Sequence, residues 1–156
     1  MNFFLAMHPF FVHFPIALVI TAFIFELINL ITKKEIFSKF SLYLIIAGVI
    51  GFLFAYFSGP DLGERSTDAA FRSLCDTHEE ASTLSLWLLV ALAAVKLTGY
   101  KLKQYEQALK YVTIGVFICA SFALVRSGYF GIKLVYEHGT ELQKVMNAPE
   151  LPEVKK

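Results

Sequence analysis

The sequence predicts an all-α fold: an integral membrane four-helix bundle, up-down-up-down, with both termini outside. Three observations predict it. Of 156 residues, 56% are apolar and the mean hydropathy is +0.59, whereas a soluble domain is roughly 45–50% apolar. The excess gathers in four stretches with few charges, each long enough to cross a hydrocarbon core of about 30 Å as a helix. Lysine crowds two of the three connections and not the third.

The first helix is expected from Pro9 to Thr32, with Pro9 at its first position, where a missing N–H costs nothing. Pro15 lies inside the run and removes one backbone hydrogen bond. Nothing basic precedes Lys33 and no small-residue cleavage site follows, so the run reads as a retained helix and not a signal peptide. The second helix spans Lys39 to Ser58 and stops at Gly59-Pro60. The third is apolar from Ala81 to Leu97, with Thr77 to Glu80 as a capping box or an earlier start near Ser66. The fourth runs from Lys110 to His138, with Gly139 as a left-handed cap. These helices form one domain, 1–139. The polar tail 140–156, with Pro149 and Pro152, reads as loose.

Loop charge sets orientation. The first connection holds Lys33, Lys34 and Lys39, and the third holds Lys96, Lys101, Lys103 and Lys110. The middle one is acidic, with Asp61, Glu64, Asp68, Asp76, Glu79 and Glu80 around Arg65 and Arg72. Loops one and three therefore belong in the cytoplasm, and the acidic loop and both termini outside. Tyr100, Tyr105 and Tyr111 suit the inner interfacial belt, and Phe3, Phe4, Phe10 and Phe11 the outer one. Small residues recur at every fourth position in helix four (Gly115, Cys119, Ala123, Ser127, Gly131) and helix two (Ala47, Gly51, Ala55), as close helix packing in lipid requires. Cys119 is a seam residue in this reading. It lies too deep for a disulfide with Cys75.

In this topology all four histidines, His8, His13, His78 and His138, fall at the outer ends of their helices. Burying apolar residues does not require that, and ionisable residues in a membrane are costly and usually functional. His8 and His13 are about 140° apart around one helix, so they cannot share an ion alone. Helices one and three are diagonal, and a planar macrocycle between them takes one imidazole from each side. His13 with His78 is the first pairing expected, then His8 with His138. Three or four imidazoles around a copper, zinc or iron ion are the alternative. A solvated or capping histidine is the ordinary reading of any one alone, of His138 above all. Deeper in the bilayer, Glu26 and Arg126 fall at one level by residue counting. They are expected to form a buried ion pair.

The net charge of +1 and the lack of a basic stripe exclude nucleic acid. No C-x-x-C-H, zinc-type cysteine pairs or nucleophile–base pattern is present, so a redox carrier is expected before an enzyme.

The run His8-Pro9-Phe10-Phe11-Val12-His13-Phe14-Pro15-Ile16-Ala17 resembles the H-P-x-x-V-H-F-P-I-A signature of the membrane family called domain of unknown function 2231. The segment from Gly128 to Gly139, ending Leu134-Val135-Tyr136-Glu137-His138-Gly139, resembles that family's G-x-x-G-x-x-L-V-Y-x-H-G. The family's third helix also opens with a histidine, here His78. The chain departs from the pattern at Thr140-Glu141. The resemblance implies a small four-helix membrane domain, found in some bacterial proteins beside cytochrome c-like modules. It favours a membrane-bound electron-transfer protein or respiratory-complex subunit with b-type haem held by histidines at the outer face. A cytochrome c-like protein or a larger membrane complex would be its partner. The alternative is a non-enzymatic integral subunit, or a copper, zinc or iron binding or transport protein using the same histidines.

Overall fold

The computed structural model describes residues 3–58, 62–102 and 106–147. Four long helices, α1 (Phe3–Thr32), α2 (Glu35–Ser58), α3 (Ala69–Lys101) and α4 (Glu106–Tyr136), are followed by a short α5 (Gly139–Asn147). Each of the four holds a segment long and apolar enough to cross a membrane, over 10–32, 35–58, 69–101 and 108–136. No strand occurs among the described residues. α1 packs along α2 and α3 along α4. The two hairpins meet chiefly through α2 and α3.

The core is apolar and tight at the centre. Val19, Ala22, Ile45, Phe52, Leu89, Leu92, Phe117, Ala120 and Leu124 form one buried cluster drawn from all four long helices. The outward faces are equally apolar. Ile31, Phe57, Phe122 and Val125 are among the large side chains left exposed, as lipid-facing positions require.

Several boundaries differ from the sequence reading. α1 spans Phe3–Thr32, so Pro9 lies in its second turn instead of opening it. α3 begins at Ala69, as the earlier start near Ser66 has it and not at the Thr77 capping box. Its cap is Asp68, whose carboxylate accepts the N–H groups of Ala70 and Phe71. Thr77 is therefore mid-helix, and its hydroxyl donates back to the Ser73 carbonyl at 2.8 Å. An aspartate cap satisfies free first-turn N–H groups better than an interior threonine can. Gly139 does not adopt a left-handed conformation; it opens α5 instead.

The described part of the tail is not loose. α5 is amphipathic and buries Val145 against Phe71 and Leu134. Glu141, at the family-divergent position, accepts a hydrogen bond from the Ser66 hydroxyl at 2.7 Å. Proline punctuation at 149 and 152 hid this helix, because both prolines follow it. The expectations on Gly59-Pro60, Asp61, Lys103, Tyr105 and residues 148–156, and on the side chains of Phe3 and Phe4, lie outside what is described.

The small-residue stripes are used only in part. In α4, Ala123 and Ser127 are buried and Gly131 is half-buried, but Gly115 and Cys119 are exposed. A step of four residues advances about 40° beyond a full turn. Five such residues cannot keep to one face of a straight helix. In α2 the close approach is made by Gly48 and Gly51, opposite Val19 and Pro15. Both cysteines are free.

Candidate functional site

His8 on α1 lies near enough to His78 on α3 for their charges to interact. His13 is exposed on α1. With His8 turned inward, a position about 140° further round must turn away. His138 sits in the turn between α4 and α5, its ring edge-on to Phe71 with centroids 5.9 Å apart.

His8 and His78 are both held through Nδ1. His78 Nδ1 lies 3.0 Å from the backbone carbonyl of Ser127. A carbonyl only accepts, so Nδ1 carries the proton. His8 Nδ1 lies 3.0 Å from the Ser58 hydroxyl. That hydroxyl donates to the Ala55 carbonyl at 2.9 Å, so it accepts from His8. In the neutral imidazole each Nε2 then keeps its lone pair. His8, ahead of the apolar span, titrates below the ordinary imidazole range. Burial is the main cause, and the nearby His78 adds to it, against the Ala55 carbonyl.

The surroundings fix the second ring further. A Cβ on Gly131 would lie 3.2 Å from His78 Cε1, so the ring packs closely against α4 at a glycine. Ser82 and Ser127 hydroxyls bond at 2.8 Å beside it, and Tyr56 meets Thr83 at 3.0 Å one turn deeper.

At the opposite end of the same two helices lies a second pair. Glu26 is buried, at 2% exposure, and its partner is Lys96, not Arg126. Lys96 also donates to Ser38 at 2.8 Å. Arg126 is exposed, with its guanidinium 5.3 Å from the centre of the Phe130 ring. The expected Glu26–Arg126 pair is therefore corrected. Residue counting sets height along a helix but not the face, and Arg126 adjoins the buried Ser127.

Lys96 was missed, although the sequence carried a signal for it. Glu26 follows His8 by eighteen residues and Lys96 follows His78 by the same number. Eighteen residues are five full helical turns, about 27 Å. Each helix thus presents both of its polar residues on one face, and parallel α1 and α3 match them end to end across the bundle diagonal.

No group of three or more histidine, cysteine, aspartate or glutamate side chains suited to a metal ion occurs among the described residues. A tetrahedral zinc site needs three or four protein ligands. A haem iron can be held by one or two histidines, and His8 and His78, each oriented through Nδ1, are the residues that would hold it. Imidazole ligands are usually fixed in this way, with the second ring nitrogen bonded to a carbonyl or similar acceptor.

Compared with known families, residues 5–144 match the one described as predicted membrane protein, DUF2231. No curated protein matches the chain, and no solved structure does.

Proposed function

The chain belongs to the DUF2231 family of predicted membrane proteins, and from that premise we propose that it is a membrane-bound electron-transfer protein or respiratory-complex subunit. Its outer end holds b-type haem through His8 and His78. The observation that carries this reading is the matched pair of imidazoles with Nδ1 tied to protein acceptors. When bound, the haem supplies a one-electron store whose potential follows burial and axial ligation. The protein's part is to orient the rings and keep each Nε2 unprotonated. The apolar residues below them exclude water.

Lysine-rich loops place the Glu26–Lys96 end in the cytoplasm and the histidine end outside, in a bacterial inner membrane. Around that outer end Glu64, Asp68, Asp76, Glu79 and Glu80 are exposed. They form an acidic surface for a basic soluble carrier such as a cytochrome c-like protein. Electron transfer to that carrier should slow as salt rises.

The test is an absorption spectrum of protein purified after haem-sufficient expression. A Soret and α-band pair on reduction is expected, abolished in His8→Ala and His78→Ala and retained in His13→Ala. A colourless, iron-free preparation would sink the haem reading. Elemental analysis of the same sample separates it from the alternatives: copper or zinc bound by the imidazole pair, or a subunit with no cofactor.

A further inference from the structure

The lysine-rich end of the bundle holds a half-open cavity of about 240 Å³. All four long helices contribute to it. α1 brings Glu26 and Asn29, α2 brings Glu35, Ser38 and Lys39, α3 brings Lys96 and α4 brings Lys110. Three lysines from three helices thus face two glutamates across one space.

The pairing inside it is uneven. Lys96 and Glu26 neutralise each other. Lys39 and Lys110 have no carboxylate within ion-pair reach among the described residues. Lys110 lies close enough to Lys96 for their charges to repel. Among the described residues the mouth thus holds Lys39, Lys110 and one carboxylate, the exposed Glu35.

The lining is rich in donors. Lys96 has three N–H donors, and Glu26 and Ser38 take two of them. Ser38 accepts from Lys96, so its own O–H is left to donate. Asn29, 6% exposed, also lines the cavity, and its carboxamide brings two further N–H donors.

We propose that this cavity binds a phosphate-bearing anion: the headgroup of an anionic phospholipid of the adjoining leaflet, or free phosphate. Phosphate offers several acceptor oxygens to donors arriving from different helices, and lysine binds it as a point charge. Basic pockets between membrane helices on the cytoplasmic side suit such headgroups. This site is independent of whatever the histidines hold.

The full chain in detergent provides the test. Native mass spectrometry would compare retention of phosphatidylglycerol with that of diacylglycerol, which lacks phosphate. Thermal stability would be followed with inorganic phosphate alone. Lys39→Gln and Lys110→Gln should each weaken binding about 5-fold, the effect of one lysine near a phosphate surface. Both alter half-buried residues at the mouth and leave the Glu26–Lys96 pair intact. Glu35→Gln, at an exposed position, should tighten binding by a similar factor, and weaker binding in that variant would contradict the charge argument. Retained phosphatidylglycerol that the lysine variants lose identifies a lipid headgroup as the source. Stabilisation by inorganic phosphate without lipid retention, lost in the same variants, identifies free phosphate. Binding of neither, or binding that both lysine variants leave unchanged, overturns the proposal.

Discussion

At the residue scale, a carboxylate inside an apolar helix needs a cation within reach, and Glu26 finds it in Lys96. Removing one member of a buried pair leaves the other charge uncompensated, at a cost of about 3–5 kcal/mol. Lys96→Met should therefore lower the unfolding midpoint in detergent sharply. The double variant Glu26→Gln/Lys96→Met should recover much of the loss, because replacing both charges removes the desolvation cost as well. Arg126→Met should cause no comparable loss, because its guanidinium lies over the Phe130 ring and not beside Glu26. A loss at Arg126 equal to that at Lys96 would restore the pairing expected from residue counting.

At the scale of the element, glycine matters where two helices touch. A Cβ on Gly48 would meet Val19 Cγ2 at 3.1 Å, whereas one on Gly115 meets nothing within 4 Å. Gly48→Leu should separate α1 from α2 and destabilise by about 1–3 kcal/mol, as overpacking does. Gly115→Leu should be nearly silent in the isolated chain. Comparing the two in one unfolding assay checks this, and equal losses would mean that a partner covers the Gly115 face. The short α5 carries a pH dependence of its own. Hydrogen bonds from Ser66 and then Lys144 hold the Glu141 carboxyl below the ordinary glutamate range. A depressed folded pKa stabilises the docked helix above the ordinary glutamate value, and the stabilisation fades as pH falls through the lowered one. The protection of α5 amides, taken relative to their intrinsic exchange rate at each pH, should therefore fall in acid, and Ser66→Ala should flatten that response. A pH profile unchanged by Ser66→Ala would exclude Glu141 as its source.

At the scale of the whole molecule, two diagonal helices carry polar pairs about 27 Å apart, close to the thickness of the hydrocarbon core. The bundle thus places one pair near each membrane surface. Single cysteines test which surface is which, with Cys75 and Cys119 first replaced by serine and alanine. In intact cells, an impermeant thiol reagent should label Glu64→Cys and Thr140→Cys and spare Lys34→Cys and Lys101→Cys. The reverse pattern would invert the assignment. Much of this arrangement was legible beforehand. Four apolar runs named the helices, and the His8 to Ala17 motif named the family. The choice among histidines was not legible, since His8 and His13 differ by a rotation that no composition reveals.

By itself, the sequence determined the four long apolar helices, the family and the polar character of each end, because these depend on local hydropathy and motif. Tertiary structure alone decided which faces meet. It set His8 beside His78 and left His13 exposed, gave Glu26 to Lys96, and folded Glu141 back onto Ser66. The physical reason is that hydropathy and residue count give height along a helix. The angle around it is chosen by packing, here by Gly131 against His78 and by Gly48 and Gly51 against α1.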